Sequence, residues 1–329
     1  MRLLVTGGAG YIGSHVTRLL GEAGHEVVVL DNLSTGFRQA VLSGELVVGD
    51  LCDTALLDRL FRQHRFEGVL HFAANIVVPE SVANPLKYYR NNSFNVLNLL
   101  EVMHKHEPRY LIFSSTAAVY GMPQSALVSE ESPLQPINPY GASKMVSERM
   151  IIDHAAVSGL RHVILRYFNV AGADPGGRIG QSTPAATHLI KVAAQTALGL
   201  RPALQIFGTD YPTPDGTCIR DYIHVEDLAS AHLAALNHLA AGGTSELLNC
   251  GYGHGLSVRE VVQSVKQVTG VDFAVQTSDR RPGDPAQLAA DNRRILATLD
   301  WRPRHDDLET IVRSAVDWER RQLNHPWRN

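Results

Sequence analysis

The sequence predicts an α/β fold: a doubly wound parallel sheet with a smaller mixed α/β half at the C-terminal side. Three observations predict it. Apolar runs of strand length alternate with helical patterns through the first half. Those runs are nearly continuous in Val, Leu and Ile, as strands covered on both faces are. A glycine-rich turn follows the first run and opens the first helical pattern, the arrangement of a strand–helix crossover unit.

Taken in order, strands are expected over 2–6, 26–31, 46–49, 68–72, 110–114 and 162–167, with amphipathic segments such as 14–23, closed by Gly24, and 91–106 between them. The second half changes character. Residues 171–186 and 208–221 are rich in Gly, Pro and Asp, and long irregular segments in a compact enzyme are more often binding loops than idle linkers. Helical patterns resume over 226–239, 258–270 and at the C-terminal end, and Ser257 with Glu260 three positions on forms a capping box. No repeat or low-complexity tract interrupts this order. A nucleotide-binding half and a smaller C-terminal half, with a cleft between them, are the expected organisation.

Composition excludes several function classes. With 329 residues, 44% of them hydrophobic, a large core is available. A formal charge of -3 offers no general attraction for nucleic acid or anionic membranes, and no basic stripe interleaved with aromatics is present. The three cysteines, Cys52, Cys218 and Cys250, lie far apart without a CxxC, which reads as reduced thiols in a cytoplasmic protein. The opening apolar run, residues 3–5, is too short for a signal peptide, and no stretch approaches the roughly 20 apolar residues that span a bilayer. Fifteen histidines are present but no HExxH, and His104 and His106 on a predicted helix point apart, so no metal is expected.

The turn reads Thr6-Gly7-Gly8-Ala9-Gly10-Tyr11-Ile12-Gly13. Gly7, Gly10 and Gly13 permit a tight turn and close backbone approach to a pyrophosphate, which then sits at the helix N-terminus. The next strand ends in Asp31. A carboxylate there accepts hydrogen bonds from adenosine ribose hydroxyls and repels a 2′-phosphate, which favours NAD over NADP.

Tyr140-Gly141-Ala142-Ser143-Lys144 places Tyr and Lys four apart at the start of a helical pattern, hence on one face. A phenol titrates near 10 and needs activation to act as a base at neutral pH. Lowering it by about three units takes roughly 4 kcal/mol. A cation about 4 Å away supplies that order of energy at an effective dielectric near 20. Lys144 is one such cation and an oxidised nicotinamide ring another. The Thr116 hydroxyl, at the end of the fifth predicted strand, could share the substrate's proton.

The segments TGGAGYIGSH, LDNLSTG, HFAA, FSSTAAVYG, NPYGASK, LRYFNVAGADP, IFGTDYPTPDGTCIRDYIHVEDLA and RRPGDPA together resemble the extended short-chain dehydrogenase/reductase family, most closely its UDP-hexose 4-epimerases, over nearly the whole chain. The resemblance implies a Rossmann NAD-binding domain over 1–168, to which 222–250 return, and a nucleotide-sugar-binding domain over 169–329. It implies reversible inversion at C4 of UDP-glucose or UDP-galactose, with Tyr140 taking the 4-hydroxyl proton while C4 gives hydride to a permanently held NAD. Tyr11, Ile12, Asp31, Asn32, Asp50, Leu51, Phe72, Ala73, Ala74, Asn91, Ser114, Lys144 and Tyr167 are implied NAD contacts, and Phe168 is placed by the nicotinamide. Asn169, His188, Leu189, Gln205, Phe207, Arg220, Tyr222, Arg281, Asp284 and Leu288 are implied UDP-sugar contacts. Arg220 and Arg281 suit a diphosphate, and Asp284 suits the uridine ribose. A homodimer through 91–106 and the helix after Lys144 is implied too.

Some positions depart from the best-known bacterial pattern. Ile76 stands where a lysine often contacts the cofactor side of the pocket, and His188 replaces an asparagine that touches the diphosphate. Leu288 is intermediate in bulk at a wall associated with N-acetylhexosamine acceptance, so UDP-GlcNAc/UDP-GalNAc or UDP-pentose epimerisation stays an alternative. A nucleotide-sugar dehydratase needs an acid/base pair after the Thr, where this chain has Ala117 and Ala118. A cofactor-releasing dehydrogenase and a non-catalytic NAD-binding protein are the remaining alternatives, the last disfavoured because Tyr140, Lys144 and Thr116 are all present.

Overall fold

The computed structural model describes residues 1–123, 125–183, 186–281 and 283–327. Seven strands, β1 (Arg2–Thr6), β2 (Glu26–Asp31), β3 (Glu45–Val48), β4 (Gly68–His71), β5 (Tyr110–Thr116), β6 (Arg161–Tyr167) and β7 (Glu246–Cys250), form one parallel sheet in the order β7-β6-β5-β4-β1-β2-β3. The winding direction reverses between β4 and β1. Ligands of such sheets bind in the crevice beyond the strand ends at that reversal.

Both faces are covered, which is why the strands read as unbroken apolar runs. Along β1, Leu3 and Val5 face one core with Val16, Leu20 and the helix Val225–Ala240, whereas Leu4 faces another with Leu57, Leu99 and Ile151. The first core is held by α1 (Tyr11–Glu22) and the second by α2 (Asn95–His106) and α3 (Pro139–Ser158). After Tyr222 the chain returns to this layer and adds β7 beside β6. The remaining strands make smaller sheets, among them Ile219–Arg220 between Leu256–Ser257 and Gln287–Ala290, and Asn169–Ala171 beside Tyr222–His224. The expected binding loop over 171–186 includes 184 and 185, which lie outside the described residues.

Of the elements whose bounds differ from the sequence expectation, two bear on the site. The helix expected over 91–106 begins instead as a π-helical turn, Tyr89–Phe94, and becomes α-helical at Asn95. The wide turn lets buried Asn92 bond Asn75 through both its backbone N (2.8 Å) and O (2.9 Å), and Ser143 Oγ at 3.1 Å. β5 runs two residues past its expected end, because Ser115 and Thr116 continue the ladder opposite Arg166 and Tyr167. The capping box forms: Glu260 N donates to Ser257 Oγ and Ser257 N to Glu260 Oε2. Cys52, Cys218 and Cys250 are free thiols. Among the described residues no helix is long and apolar enough to cross a membrane.

A buried ion pair locks α3 onto the sheet. Arg166 of β6 meets Glu148 of α3 through two N–H···O bonds of 3.0 and 2.6 Å, with both side chains 2% exposed. Ser115 Oγ of β5 also bonds Glu148, and Arg166 Nη1 donates to Tyr120 Oη at 3.0 Å. Replacing one partner leaves an uncompensated buried charge. Arg166→Met is therefore expected to cost about 3–5 kcal/mol in urea unfolding, and the double change Arg166→Met with Glu148→Leu to recover most of that loss.

Candidate active site

The glycine turn sits at the β1 side of the winding reversal. Gly7 has φ +73°, and a Cβ on it would lie 2.5 Å from Ala73 N; a Cβ on Gly13 would lie 2.3 Å from Gly7 O. Only glycine fits either place. Gly10 is the N-cap of α1 with no side-chain cap, so the first-turn N–H groups of Tyr11, Ile12 and Gly13 face outward as an anion cradle. Asp31 stands at the end of β2 beside it. Its Oδ2 accepts from Ala9 N at 2.9 Å and Oδ1 from Leu33 N at 2.8 Å, while burial raises its carboxyl pKa. Each oxygen keeps a second lone pair, the fit a ribose diol requires.

The other implied NAD contacts lie at the ends of strands of the parallel sheet or in the segments that follow them. Phe72, Ala73 and Ala74 form the loop after β4, with Phe72 N bonded to Thr6 O at 2.8 Å. Asn32 Nδ2 donates to Asp50 Oδ2 at 2.7 Å, so those two side chains already hold each other. Asn91 Nδ2 donates to Asn92 Oδ1 at 3.0 Å. Ser114 Oγ bonds Tyr167 Oη. The side chain of Leu51 is buried in the core with Leu57 and Leu99, and Tyr11 Oη is committed to Gly172 O at 2.7 Å. Ile76, at the position where a lysine is common, is exposed.

Asn138 caps α3 by accepting from Gly141 N at 2.9 Å, with Pro139 in the first turn. That start places Tyr140 and Lys144 one turn apart, against β5. The Tyr140 phenol is a hydrogen-bond partner of the Thr116 hydroxyl. Lys144 is 2% exposed, and its Nζ lies 4.4 Å from the centre of the Phe113 ring. Here the charges differ from the simple expectation that Lys144 pulls the phenol down. Burial pushes Tyr140 up, with only the Thr116 bond opposing it, and the same burial draws Lys144 down to about 7 against the pull of Glu148. Desolvation in a dry site works against both charged forms.

The implied substrate residues fall into three groups. Asn169, His188, Leu189 and Tyr222 line one small cavity with Gln181 and Trp318. His188 Nδ1 bonds Gln181 Nε2 at 2.8 Å, and burial lowers its pKa, so it presents a neutral ring. Gln205, Phe207, Arg281, Asp284 and Arg220 form a strip. The Arg281 guanidinium stacks 4.2 Å over Phe207, and Asp284 lies 3.4 Å from both Arg281 and Arg220. Gln205 is exposed and bonded to Gln276 and Ser278. In the third group Leu288 and Phe168 pack together with Ala117, Val119, Tyr120 and Val128, directly after Thr116.

Three functional candidates escaped the sequence reading. Asn92 ties the loop after β4 to α3, Glu148 sits one turn beyond Lys144, and Asp221 lies fully buried between Arg220 and Tyr222. Glu148 alone carried a readable signal, since it extends the Tyr140–Lys144 face by another four residues. Among the described residues no His, Cys, Asp and Glu cluster could hold a metal ion.

The sequence model of the NAD dependent epimerase/dehydratase family matches residues 3–251. A UDP-glucose 4-epimerase of Azospirillum brasilense is 60% identical over 320 residues, 97% of this chain and 92% of that protein. Among solved structures, UDP-glucose 4-epimerase from Brucella ovis in complex with NAD has a TM-score of 0.94 at 44% identity, covering 99% of each chain. The UDP-Glc/GlcNAc 4-epimerase of Campylobacter jejuni has a TM-score of 0.86 at 50% identity, covering 97% of this chain and 99% of that one. A family match over more than half the chain, on a sheet whose winding reversal carries the glycine cradle and the Tyr140–Lys144 pair, makes this protein a member of the NAD dependent epimerase/dehydratase family.

Proposed function

We propose that this protein interconverts the C4 epimers of a UDP-hexose, UDP-glucose and UDP-galactose, through a transient 4-keto sugar with tightly held NAD. The observation that carries the reading is the half-buried Tyr140 beside buried Thr116 and Lys144, on a fold that also carries the glycine cradle. NAD, when bound, supplies an acceptor for the C4 hydride and returns it to the other face. Tyr140 Oη takes the 4-hydroxyl proton, Thr116 relays it, and Lys144 adds positive charge beside the phenol and binds ribose hydroxyls. The cradle and Asp31 hold the adenosine diphosphate part, with the residues of the β4 loop, Asn91, Ser114 and Tyr167 around it. At the far end Arg220, Arg281 and Asp284 hold the UDP, with Asn169, Tyr222, His188, Leu189, Gln205 and Phe207. In this reading 1–168 with 222–250 form the NAD domain and 169–329 the substrate domain.

A homodimer fits the apolar side chains left exposed on α2, α3 and the preceding turn, among them Phe94, Leu97, Val146, Ile152 and Val157. A cytoplasmic setting fits the three free thiols. N-acetylated substrates are the second reading, favoured by a Leu288 side chain smaller than an aromatic at the wall beside Thr116. Incubation with UDP-glucose, UDP-GlcNAc and UDP-xylose, followed by separation of the C4 epimers, tests both readings.

Tyr140→Phe is expected to lose epimerisation by at least about 100-fold while retaining bound NAD, measured by coupled assay and by NAD release on denaturation. Leu288→Ala is expected to raise turnover of UDP-GlcNAc relative to UDP-glucose, and Leu288→Phe to lower it; equal ratios in both variants would remove Leu288 from the specificity wall. The third expectation follows from the charge of Lys144. Its folded-state pKa near 7 lies below the ordinary 10.5, so the folded chain binds fewer protons than the unfolded chain between those values. The cost of the buried ammonium is thus complete below pH 7 and vanishes as pH rises towards 10.5. Lys144→Met should be inactive, yet the NAD-free variant should be more stable than wild type at pH 6, by a margin that shrinks at pH 10.

A further inference from the structure

We propose that Asp221 is a positioning residue for the UDP-sugar: its carboxylate ties the strand that carries Leu288 to the loop leaving β7, and so fixes where Arg220 and Leu288 meet the ligand. The proposal rests on the reading of this site as a UDP-sugar site. Asp221 is fully buried and stands between the two short strands Ile219–Arg220 and Tyr222–His224. Its Oδ1 accepts from Tyr252 N at 3.0 Å, and its Oδ2 from Gly253 N at 3.1 Å and Ala290 N at 3.2 Å. Tyr252 and Gly253 follow β7 of the parallel sheet, whereas Ala290 ends Gln287–Ala290 of the smaller sheet. The backbone of Asp221 adds two more ties, donating to Leu288 O at 3.3 Å and accepting from Asn169 N at 3.0 Å. Five hydrogen bonds of one residue therefore converge on the segments that carry Asn169, Arg220, Tyr222 and Leu288.

This arrangement costs energy that a merely structural link would avoid. An ionised carboxylate out of water is expensive even when hydrogen-bonded, and burial pushes this one up to about 6 despite its three N–H donors. A carboxylate accepts from several N–H groups at once, a geometry that no neutral side chain of this size reproduces. The space around it is also kept clear. A Cβ on Gly251 would lie 2.5 Å from Asp221 Oδ2 and 2.8 Å from the Ala290 Cβ.

Two substitutions test the tie in the NAD-loaded enzyme. Asp221→Asn puts an NH2 group against N–H donors, and Gly251→Ala displaces the carboxylate without touching it chemically. Both are expected to raise KM for UDP-glucose and Kd for UDP together, by about tenfold, the worth of one charge-assisted hydrogen bond. The kcat should stay within about twofold and NAD content should be unchanged, because Tyr140, Thr116 and Lys144 sit on other elements. The ratio of UDP-GlcNAc to UDP-glucose turnover should also shift, since Leu288 moves. A fall in kcat with KM and UDP affinity unchanged would overturn the proposal, as would unaltered UDP affinity in both variants. If the Asn variant does not fold, Gly251→Ala decides alone. Wild-type protein that binds UDP but does not epimerise would sink the proposed reaction and leave the UDP measurements to judge Asp221; wild-type protein that fails to bind UDP would sink both.

Discussion

The chemistry of this site depends on keeping charge where water has been removed. Burial raises the Tyr140 phenol and draws the Lys144 ammonium down to about 7, so the charged form of each is disfavoured there. Help comes along one face of α3. Tyr140, Lys144 and Glu148 are spaced four apart, and Glu148 is in turn held by Arg166. Beyond Lys144, the Glu148 carboxylate favours the charged forms of both Lys144 and Arg166. A cation about 4 Å from the phenol is worth roughly 4 kcal/mol at an effective dielectric near 20. That is the order needed to bring an ordinary phenol into the neutral range, but burial has raised the starting point, and an oxidised nicotinamide bound here would supply a second positive charge. NAD bound here would then serve the acid/base chemistry as well as accept hydride.

The same chain of charges explains why α3 is so firmly placed. Glu148 is bonded by β5 through Ser115 and by β6 through Arg166, and Arg166 reaches Tyr120, whose hydroxyl donates to Asn249 of β7 at 2.6 Å. On the other side of the helix Asn92, on its π-helical turn, holds Ser143 and the loop after β4. Tyr140 and Lys144 therefore stand on an element gripped from both sides. Positioning of this kind, more than the identity of the groups, separates a working Tyr–Lys pair from a chance YxxxK.

Much of this was legible in the sequence, for physical reasons that also mark the limits. Strands covered on both faces must be apolar throughout, so all six expected strands stand within two residues of their observed ends. Gly7 and Gly13 were readable because backbone approach leaves no room for a side chain. The π-helical turn was not, since its composition fits an α-helix and only the long-range bonds of Asn92 to Asn75 and Ser143 favour the wider turn. Nor could spacing reveal that burial would reverse the expected shift of Tyr140, because desolvation is a property of what packs around the helix. Asp221 was hidden for a similar reason: an acid between an Arg and a Tyr reads as part of a binding loop, and its N–H partners at Tyr252, Gly253 and Ala290 are distant in sequence.

The two ends of the site make opposite demands, and the structure separates them. In the proposed reaction, inversion at C4 would require the keto sugar to offer either face to the same Tyr140, which disfavours any group near that carbon that binds one configuration strongly. The apolar packing of Ala117, Val119, Phe168 and Leu288 directly after Thr116 suits that demand. The ligand must nevertheless remain bound while the sugar turns. Its hold has to come from a remote anchor, and the Arg220–Asp284–Arg281 strip has the charge to supply it. Binding energy that is the same for both epimers does not favour either, so a tight anchor and a permissive wall are compatible. They remain so only while the distance between anchor and wall is fixed. Arg220 and Leu288 pair directly across neighbouring strands, which makes that distance a matter of backbone geometry and not of side-chain chance.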